Sequence, residues 1–584
     1  MHPNTDVTLQ DPEADAAELM LMTEGASAAR EQERGSSASG RIAGAALILM
    51  AGTILSRVLG VGRESTIAFL FGAGAEVDAF TVANHVATIV FDLLISGTVS
   101  AALVPVFSEY AGKEEKREEF GKIVGTVLTI STLFLILAVA VLEVFAVPLV
   151  GFMSQGANPE TQSLALNMTQ VVLPGVIFMG LSGVVMAVHY SLNRFIWPAF
   201  TSALFNAAII FCAFSLFSMG VSSLAIGLVV GSLAMLALQV PGLRDLPIRP
   251  SFDLSHPAVR KIFKLYAPVG VSMVVSATAL VIDRNLASQV GEGAISAMRY
   301  ATTLVQLALG IVAAGISLAS LPSLSQHFSN GDSLAYRRTL AAGLRMVTLL
   351  VLPAAAGLLA LSTPLVSLIF RHGRFTAEDQ ALVVLALLFY IPGLPFSAID
   401  QVLIIAFYAR KNTLTPVIIG IAAAGVYLVV AFSTVDTMGM TGLVLANSAQ
   451  LTFHAIVTGL LLWRALRSEG GLGGQGLIEV SIKALGASVL MGVVSWGTWW
   501  GVDRLLHSTS TTASTVIAVR PPLQAPPPVV MPALPPGPSF VEEVIVLGVP
   551  AAVGGAVYIA LIWLMRMPEA RIIASRIRSR LKRG

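Results

Sequence analysis

Two stretches of the chain repeat one another at an offset of about 217 residues, and this limits the fold more than any other feature. Val104-Pro105-Val106-Phe107-Ser108 is echoed by Leu321-Pro322-Ser323-Leu324-Ser325. Pro174-Gly175 is echoed by Pro392-Gly393, and Tyr190 with Pro198 by Tyr408 with Pro416. Each copy sits in a half built of six apolar segments. An even number of crossings per copy leaves both halves in the same orientation, which is a parallel membrane repeat of the kind that rocks two bundles about a central cavity.

Composition places that repeat in a bilayer. Hydrophobic residues make up 55% of the 584 positions, charged residues 12%, and mean hydropathy is +0.80. A soluble domain carries about 25% charged residues. Runs of about 20 apolar residues, enough to cross hydrocarbon, fall near 43–70, 79–106, 123–150, 162–190, 198–217, 220–240, 262–290, 294–322, 337–370, 378–408, 414–433, 440–463, 478–502 and 541–565. The expected fold is an all-α integral membrane protein of about 14 transmembrane helices, with two six-helix lobes in parallel repeat and two extra C-terminal helices. Pro174, Pro353 and Pro392-Gly393-Leu394-Pro395 are expected to bend their helices. The lone cysteine, Cys212, lies inside an apolar segment and reads as a small buried hydrophobe.

The boundaries follow from shifts in composition. Residues 1–40 form an acidic tail expected to be disordered, residues 41–242 the N-lobe and 243–467 the C-lobe. Residues 468–566 hold the thirteenth and fourteenth segments, joined by a Ser/Thr- and Pro-rich extracytoplasmic linker at 508–539. A basic tail, 567–584, suits anionic lipid. Lys and Arg concentrate in the loops after even-numbered segments (Lys113, Arg194, Arg244, Arg338, Arg410, Arg464), so both termini are expected in the cytoplasm.

Charges within spans are costly and face a cavity or a partner. Arg57 lies fourteen residues into the first segment, roughly 21 Å along a helix, too deep to snorkel. Arg57 and Glu64 stack on one face. Gly60 and Gly62 offer a bend that would bring Arg63 to the same side. One reading is that Arg57 and Arg63 clamp an anionic group such as phosphate through bidentate hydrogen bonds; the other is that they hold Glu64 and Asp78 in structural pairs. Asp78, after a glycine-rich turn, is expected to cap the second segment and pair with an arginine, and Asp92 sits deeper as a further charge partner. Arg299 is a second candidate anion contact, and Asp283-Arg284 reads as an ion pair at the rim. Asp400, far from either end of the tenth segment, is either an ion-coupling group or a hydrogen-bonded neutral acid. His85, His189 and His454 read as packing residues. There is no GxxxxGK[ST], no HExxH and no paired cysteine. Catalytic residues, metal ligands, cofactors and nucleic-acid partners are therefore not expected.

Several of these stretches, taken in order, resemble the MurJ/MviN lipid II flippases. They are Ser56-Arg57-Val58-Leu59-Gly60 with Arg63-Glu64, Phe71-Gly72-Ala73-Gly74 with Asp78-Ala79-Phe80, Asp283-Arg284, His372-Gly373-Arg374-Phe375-Thr376, and Phe407-Tyr408-Ala409-Arg410-Lys411-Asn412. The resemblance runs from about 43 to 565. It implies a carrier of the multidrug/oligosaccharidyl-lipid/polysaccharide exporter superfamily. Such a carrier moves undecaprenyl-pyrophosphate-linked peptidoglycan precursor from the inner to the outer leaflet of the bacterial cytoplasmic membrane. It implies Arg57 and Arg63 as cavity arginines, Glu64 as a gate acid with Asp78 beside it, and a lipid-tail groove on the two extra helices. Where many members carry arginines in helix 2 the chain reads Ala87-Thr88 and Phe91-Asp92, and Thr303 stands near the helix 8 arginine, with Arg299 one turn earlier. Membrane potential, Na+ or H+ are the candidate driving agents. The alternatives are a flippase for another polyprenyl-linked oligosaccharide, a drug/cation antiporter of the superfamily, and a non-transporting scaffold for cell-wall synthesis proteins.

Overall fold

The computed structural model describes residues 48–91, 102–111, 114–507 and 539–567. Asp92, the acidic and basic tails and nearly all of the Pro-rich linker lie outside the described residues.

Helix occupies most of the described residues in each of the fourteen expected segments. The first is α1, residues 48–71. The rest of the N-lobe comprises α2 (Ala75–Phe91), α3 (Val104–Tyr110), α4 (Arg117–Met153), α5 (Pro159–Ser191), α6 (Ile196–Ala199), α7 (Thr201–Ser215) and α8 (Ser222–Gln239). The C-lobe comprises α9 (Pro257–Val290), α10 (Ala294–Ser329), α11 (Ser333–Ala360), α12 (Ser362–Phe370), α13 (Ala377–Tyr390), α14 (Leu394–Ala409), α15 (Leu414–Met438) and α16 (Met440–Arg467). The appended pair is α17 (Leu477–His507) and α18 (Phe540–Leu564).

Nine of the expected segments, the third, fourth, sixth and ninth to fourteenth, are long and apolar enough among the described residues to cross a membrane. The first, second, seventh and eighth segments carry Arg57, Glu64, Asp78, Asp283, Arg284 and Arg299. The fifth is short. Pro174 and Pro353 lie inside continuous helices, and Pro392-Gly393 forms a 3-10 turn that parts α13 from α14. Helix starts follow local chemistry: Asn158 caps α5 before Pro159, and Thr376 and Ser539 form capping boxes with Asp379 and Glu542.

Inside each lobe the helices pack in corresponding pairs, α5 on α8 and α14 on α16. The appended pair sits on the flank of α11. Tyr558 donates its hydroxyl to the Leu349 carbonyl at 2.6 Å, and Gly554 lets α18 close onto Ser495 of α17. The outward faces of α4, α17 and α18 expose large apolar side chains (Val144, Val147, Ile482, Trp496, Trp563), as lipid contact demands.

The lobes are stitched together at the end that the Lys/Arg distribution marks as extracytoplasmic. Tyr300 donates to Gly72 O at 2.8 Å, the Arg374 amide to Phe69 O at 2.9 Å and Ser65 Oγ to Ile369 O at 2.6 Å. Asn285 donates to Phe152 O at 2.6 Å. Gly373 permits the approach to Phe69: it holds φ +63, and a Cβ there would lie 2.2 Å from Phe69 O.

Candidate functional site: a cationic cavity between the lobes

Between the lobes lies a cavity of about 620 Å³, within the range of small-molecule sites. Its wall follows α1 from Leu49 to Glu64, some 22 Å at helical rise, with Asn84 and His85 from α2, Tyr190 from α5, Ser202 from α7, and α9 and α10 opposite. It reaches the N-terminal end of α1 and stops short of the sutured end.

Four arginines line it: Arg57, Arg63, Arg284 and Arg299. α1 is helical throughout 48–71, Gly60 and Gly62 included. Asn206 of α7 donates to Ser56 O at 3.2 Å, and Gly60 faces Asn206 across that contact. Arg57 and Arg63 both line the cavity, as expected. Arg57 lies along α10, donating to Gln306 O at 2.7 Å, in space left open by Gly310, where a Cβ would lie 2.1 Å from its Cζ. Among the described residues it has no carboxylate partner.

Glu64 gathers two of the others. It is 1% exposed. Arg63 donates to its Oε1 at 2.6 and 3.1 Å; Arg299 donates to Oε1 at 2.9 Å and approaches Oε2 at 2.9 Å. Arg299 also donates to Thr81 and lies over the Phe80 ring, 5.0 Å from its centroid. This cluster occupies the sutured end, and Arg57 sits about 10 Å nearer the start of α1.

Two expectations are corrected. Asp78 neither caps α2 nor pairs with an arginine. Its carboxylate accepts from the Gly293 and Ser296 amides at 2.7 Å each and from the Ser296 hydroxyl. It caps α10 across the lobe boundary, where the free amides and positive end of that helix are a better partner than a distant guanidinium. Asp283-Arg284 is not at the rim. Both side chains are largely shielded, Arg284 Nη2 stands 3.5 Å from Asp283, and Tyr427 donates its hydroxyl to Asp283. Arg284 Nε and Nη1 have no hydrogen-bond partner among the described residues. Arg284 was missed as a cavity residue because an adjacent aspartate in sequence suggested a closed pair.

Thr303, at the place of the absent helix 8 arginine, lines the cavity beside Arg299. His85 directs Nδ1 at Thr81 O, 2.6 Å away, and His189 directs Nε2 at Gln239 O, 3.0 Å away. Asp400 lies apart from the arginines, with Oδ2 2.8 Å from His454 Nδ1. Among the described residues no three His, Cys, Asp or Glu side chains could hold a metal ion.

Arginine stays charged. With Glu64 and Asp283 both ionised, the four guanidiniums still leave two positive charges in surroundings that penalise uncompensated charge. A polytopic carrier with two lobes and an anion-accepting vestibule is the class that this fold and cavity define. Residues 67–517 match the family described as lipid II flippase MurJ. The lipid II flippase MurJ of Burkholderia cenocepacia is 31% identical over 469 residues, covering 77% of this chain and 89% of that protein. The chain therefore belongs to the MurJ family. Its fold is similar to a solved structure of lipid II flippase MurJ in an inward closed conformation, with a TM-score of 0.69 at 23% identity, covering 88% of this chain and 98% of that one. It is also similar to an inward-facing multidrug resistance MATE family transporter of the MOP superfamily, with a TM-score of 0.62 at 15% identity over 73% of this chain and 98% of that one.

Proposed function

We propose that this chain is a transporter, not an enzyme, that moves lipid II from the inner to the outer leaflet of the bacterial cytoplasmic membrane by alternating access, with both termini in the cytoplasm. The observation that carries the reading is Arg57: a guanidinium deep in a span, bonded to a backbone carbonyl rather than a carboxylate, and facing a cavity that reaches the cytoplasmic end. A pyrophosphate head entering there meets Arg57 first. Its oxygens replace lost hydration with charge-assisted bonds. Farther in, it competes with Glu64 for Arg63 and Arg299, and Arg284 offers two free donors. The polyprenyl tail stays in lipid along the apolar faces of α17 and α18.

Outward release requires the outer suture to part, Asp78 leaving α10 and the 371–376 loop leaving α1. An outside-positive potential favours outward movement of the anion by about 2.3 kcal/mol per charge per 100 mV. Cell-wall synthesis proteins are the natural neighbours of such a carrier; the described site needs none of them to form.

The test is lipid II translocation in vesicles holding the full chain. Arg57→Ala is expected to lose translocation while keeping membrane abundance and melting temperature. A wild-type rate in that variant would reject the clamp. Removal of 1–40 and 510–538 is expected to leave translocation intact, whereas a scaffold would fail.

A further inference from the structure

The C-lobe holds a second cavity, about 590 Å³, sharing Arg284, Thr302 and Gln306 with the first. Its wall includes Ser397 of α14, Gly420 of α15, and Gln450 and Leu451 of α16. One turn beyond these lie Asp400 and His454, with side chains 12% and 13% exposed. A Cβ on Gly420, in that wall, would be 3.7 Å from His454 Nε2.

The geometry of this pair fixes its proton count. His454 Nδ1 is 2.8 Å from Asp400 Oδ2, and Nε2 is 3.3 Å from Pro416 O. Both nitrogens therefore face oxygen acceptors. A neutral imidazole has one N–H. It would leave one of its lone pairs against an oxygen lone pair, unless the proton sits on the carboxyl instead. The arrangement is satisfied only when the pair carries one proton more than Asp400 carboxylate plus neutral histidine. Losing that proton would leave a net negative charge inside the membrane, which is expensive. Asp400 Oδ1 has no hydrogen-bond partner among the described residues, so one carboxylate lone pair remains to receive a proton arriving from the cavity.

The surroundings add little charge. Thr458 Oγ1 lies 3.3 Å from His454 Nδ1. The Tyr408 phenol, on the same helix as Asp400, is in electrostatic reach of it. From α15 the pair meets the Pro416 carbonyl. Of the helices packed on α14, α11 brings Tyr336, whose hydroxyl donates to Ala406 O, and α10 brings Thr302 to the cavity wall, where the charged side chains are Asp283 and Arg284 of α9. The N-lobe supplies an internal contrast. At the 218-residue offset Asp400 corresponds to Ser182. There the fourth-to-sixth-segment bridge is neutral, Gln239 Nε2 donating to Ser182 Oγ at 2.6 Å. The corresponding bridge of the C-lobe is ionisable.

We infer that Asp400 and His454 form a one-proton binding site, reached through the C-lobe cavity, that couples transport to proton movement. The proton comes from water in that cavity, joins the pair without breaking any other covalent bond, and returns to water on release. The site stands on its own geometry; its coupling role rests on lipid II being the cargo.

Two measurements on the full chain separate those parts. The first is proton uptake by detergent-solubilised protein in weak buffer after a pH jump, with no lipid II present. Wild type is expected to take up one more proton per chain than Asp400→Asn or His454→Gln, each checked for an unchanged melting temperature. Equal uptake in all three overturns the site. If both variants unfold, the infrared band of a protonated carboxyl in wild type, shifted by 13C-labelling of aspartate, decides the same question, and a band indifferent to pH overturns it. The second is lipid II translocation under an imposed pH gradient with the potential clamped. The wild-type rate is expected to rise, by at most about tenfold per pH unit for a single coupled proton, and the variants to lose the response. A wild type indifferent to the gradient, or stimulated by a sodium gradient instead, overturns the coupling. Absence of any wild-type translocation would strike the transport reading and leave the proton count standing.

Discussion

Replacing Glu64 by Gln tests whether the acid and the substrate share the same guanidiniums. The change keeps size and removes one charge from a group that is 1% exposed and bonded to both Arg63 and Arg299. Breaking a buried ion pair costs about 3–5 kcal/mol, because the partner charge is left uncompensated. The two partners differ in their freedom to escape. The Arg63 side chain is 22% exposed and can swing into the cavity, whereas that of Arg299 is 9% exposed and pinned between Thr81 and the Phe80 ring. The residual amide oxygen still accepts one hydrogen bond. The loss therefore belongs at the low end, about 3 kcal/mol.

A pyrophosphate that fills the vacated position restores the missing negative charge. In the wild type it must first displace Glu64; in the variant it need not. Recovery of only about 1.4 kcal/mol of the loss makes binding tenfold tighter. Thermal unfolding of the purified full chain over a lipid II titration reads both effects, since a ligand specific for the folded state raises stability as its concentration passes Kd. The unliganded variant is expected to melt below wild type and to gain more from lipid II. A variant as stable as wild type, with an unchanged or weaker lipid II response, would refute competition at these two arginines.

Three further outcomes follow from the same geometry. Asp78→Asn keeps the shape but turns one acceptor into a donor facing α10 amides. Each buried donor so orphaned costs about 1–3 kcal/mol, and spin-label distances between the outer ends of α2 and α10 are expected to lengthen; unchanged distances would refute the gate assignment. Gly373→Ala forces a left-handed φ on a residue with a Cβ, a cost of about 1–2 kcal/mol before the clash with Phe69 O, and is expected to lower the melting temperature and loosen the same suture. In the loop after α16, the Arg410 guanidinium bonded to Glu469 holds that carboxyl below its ordinary range. A carboxyl depressed in the folded state contributes stability that is present above its unfolded pKa and is lost as pH falls through the folded value. Stability is therefore expected to drop on acidification below the usual carboxylate range, and Glu469→Gln to blunt that drop; an identical acid profile would refute it.

The helices were legible because a bilayer imposes one length and one solvent on every crossing. The expected segment 378–408 matches α13 through α14 almost end to end, and 414–433 is the body of α15. The depth of Arg57 was legible for the same reason. Pairings across the chain were not. Asp78 meets Ser296 at 218 residues' separation, Asp283 meets Tyr427 at 144, and Arg299 meets Glu64 at 235. No periodicity encodes such contacts; they exist only once the lobes are packed. Nor did the sequence show that Gly60 and Gly62 would stand against α7, next to Asn206 and Ile210.

The repeat itself separates scaffold from function. Equivalent polar clips close both lobes at corresponding ends: Arg194 of the N-lobe pairs with Asp245 at 2.5 Å, and Arg410 of the C-lobe with Glu469 at 2.9 Å. An ion pair present in both copies serves what both copies share, the joining of the fourth and sixth crossings of each lobe. The charges within the bilayer obey no such symmetry. At the repeat offset Arg57 of α1 corresponds to Val274, Asp283 to Thr66, and Asp400 to Ser182. Guanidiniums on α1 and an acid–histidine pair on the C-lobe each appear in one copy only, and charge inside a membrane is too costly to persist without a partner or a task. The divergence of two otherwise parallel bundles therefore divides the labour: anion contact led by Arg57 on the N-lobe side, proton binding on the C-lobe side, with Arg284 in the wall common to both cavities.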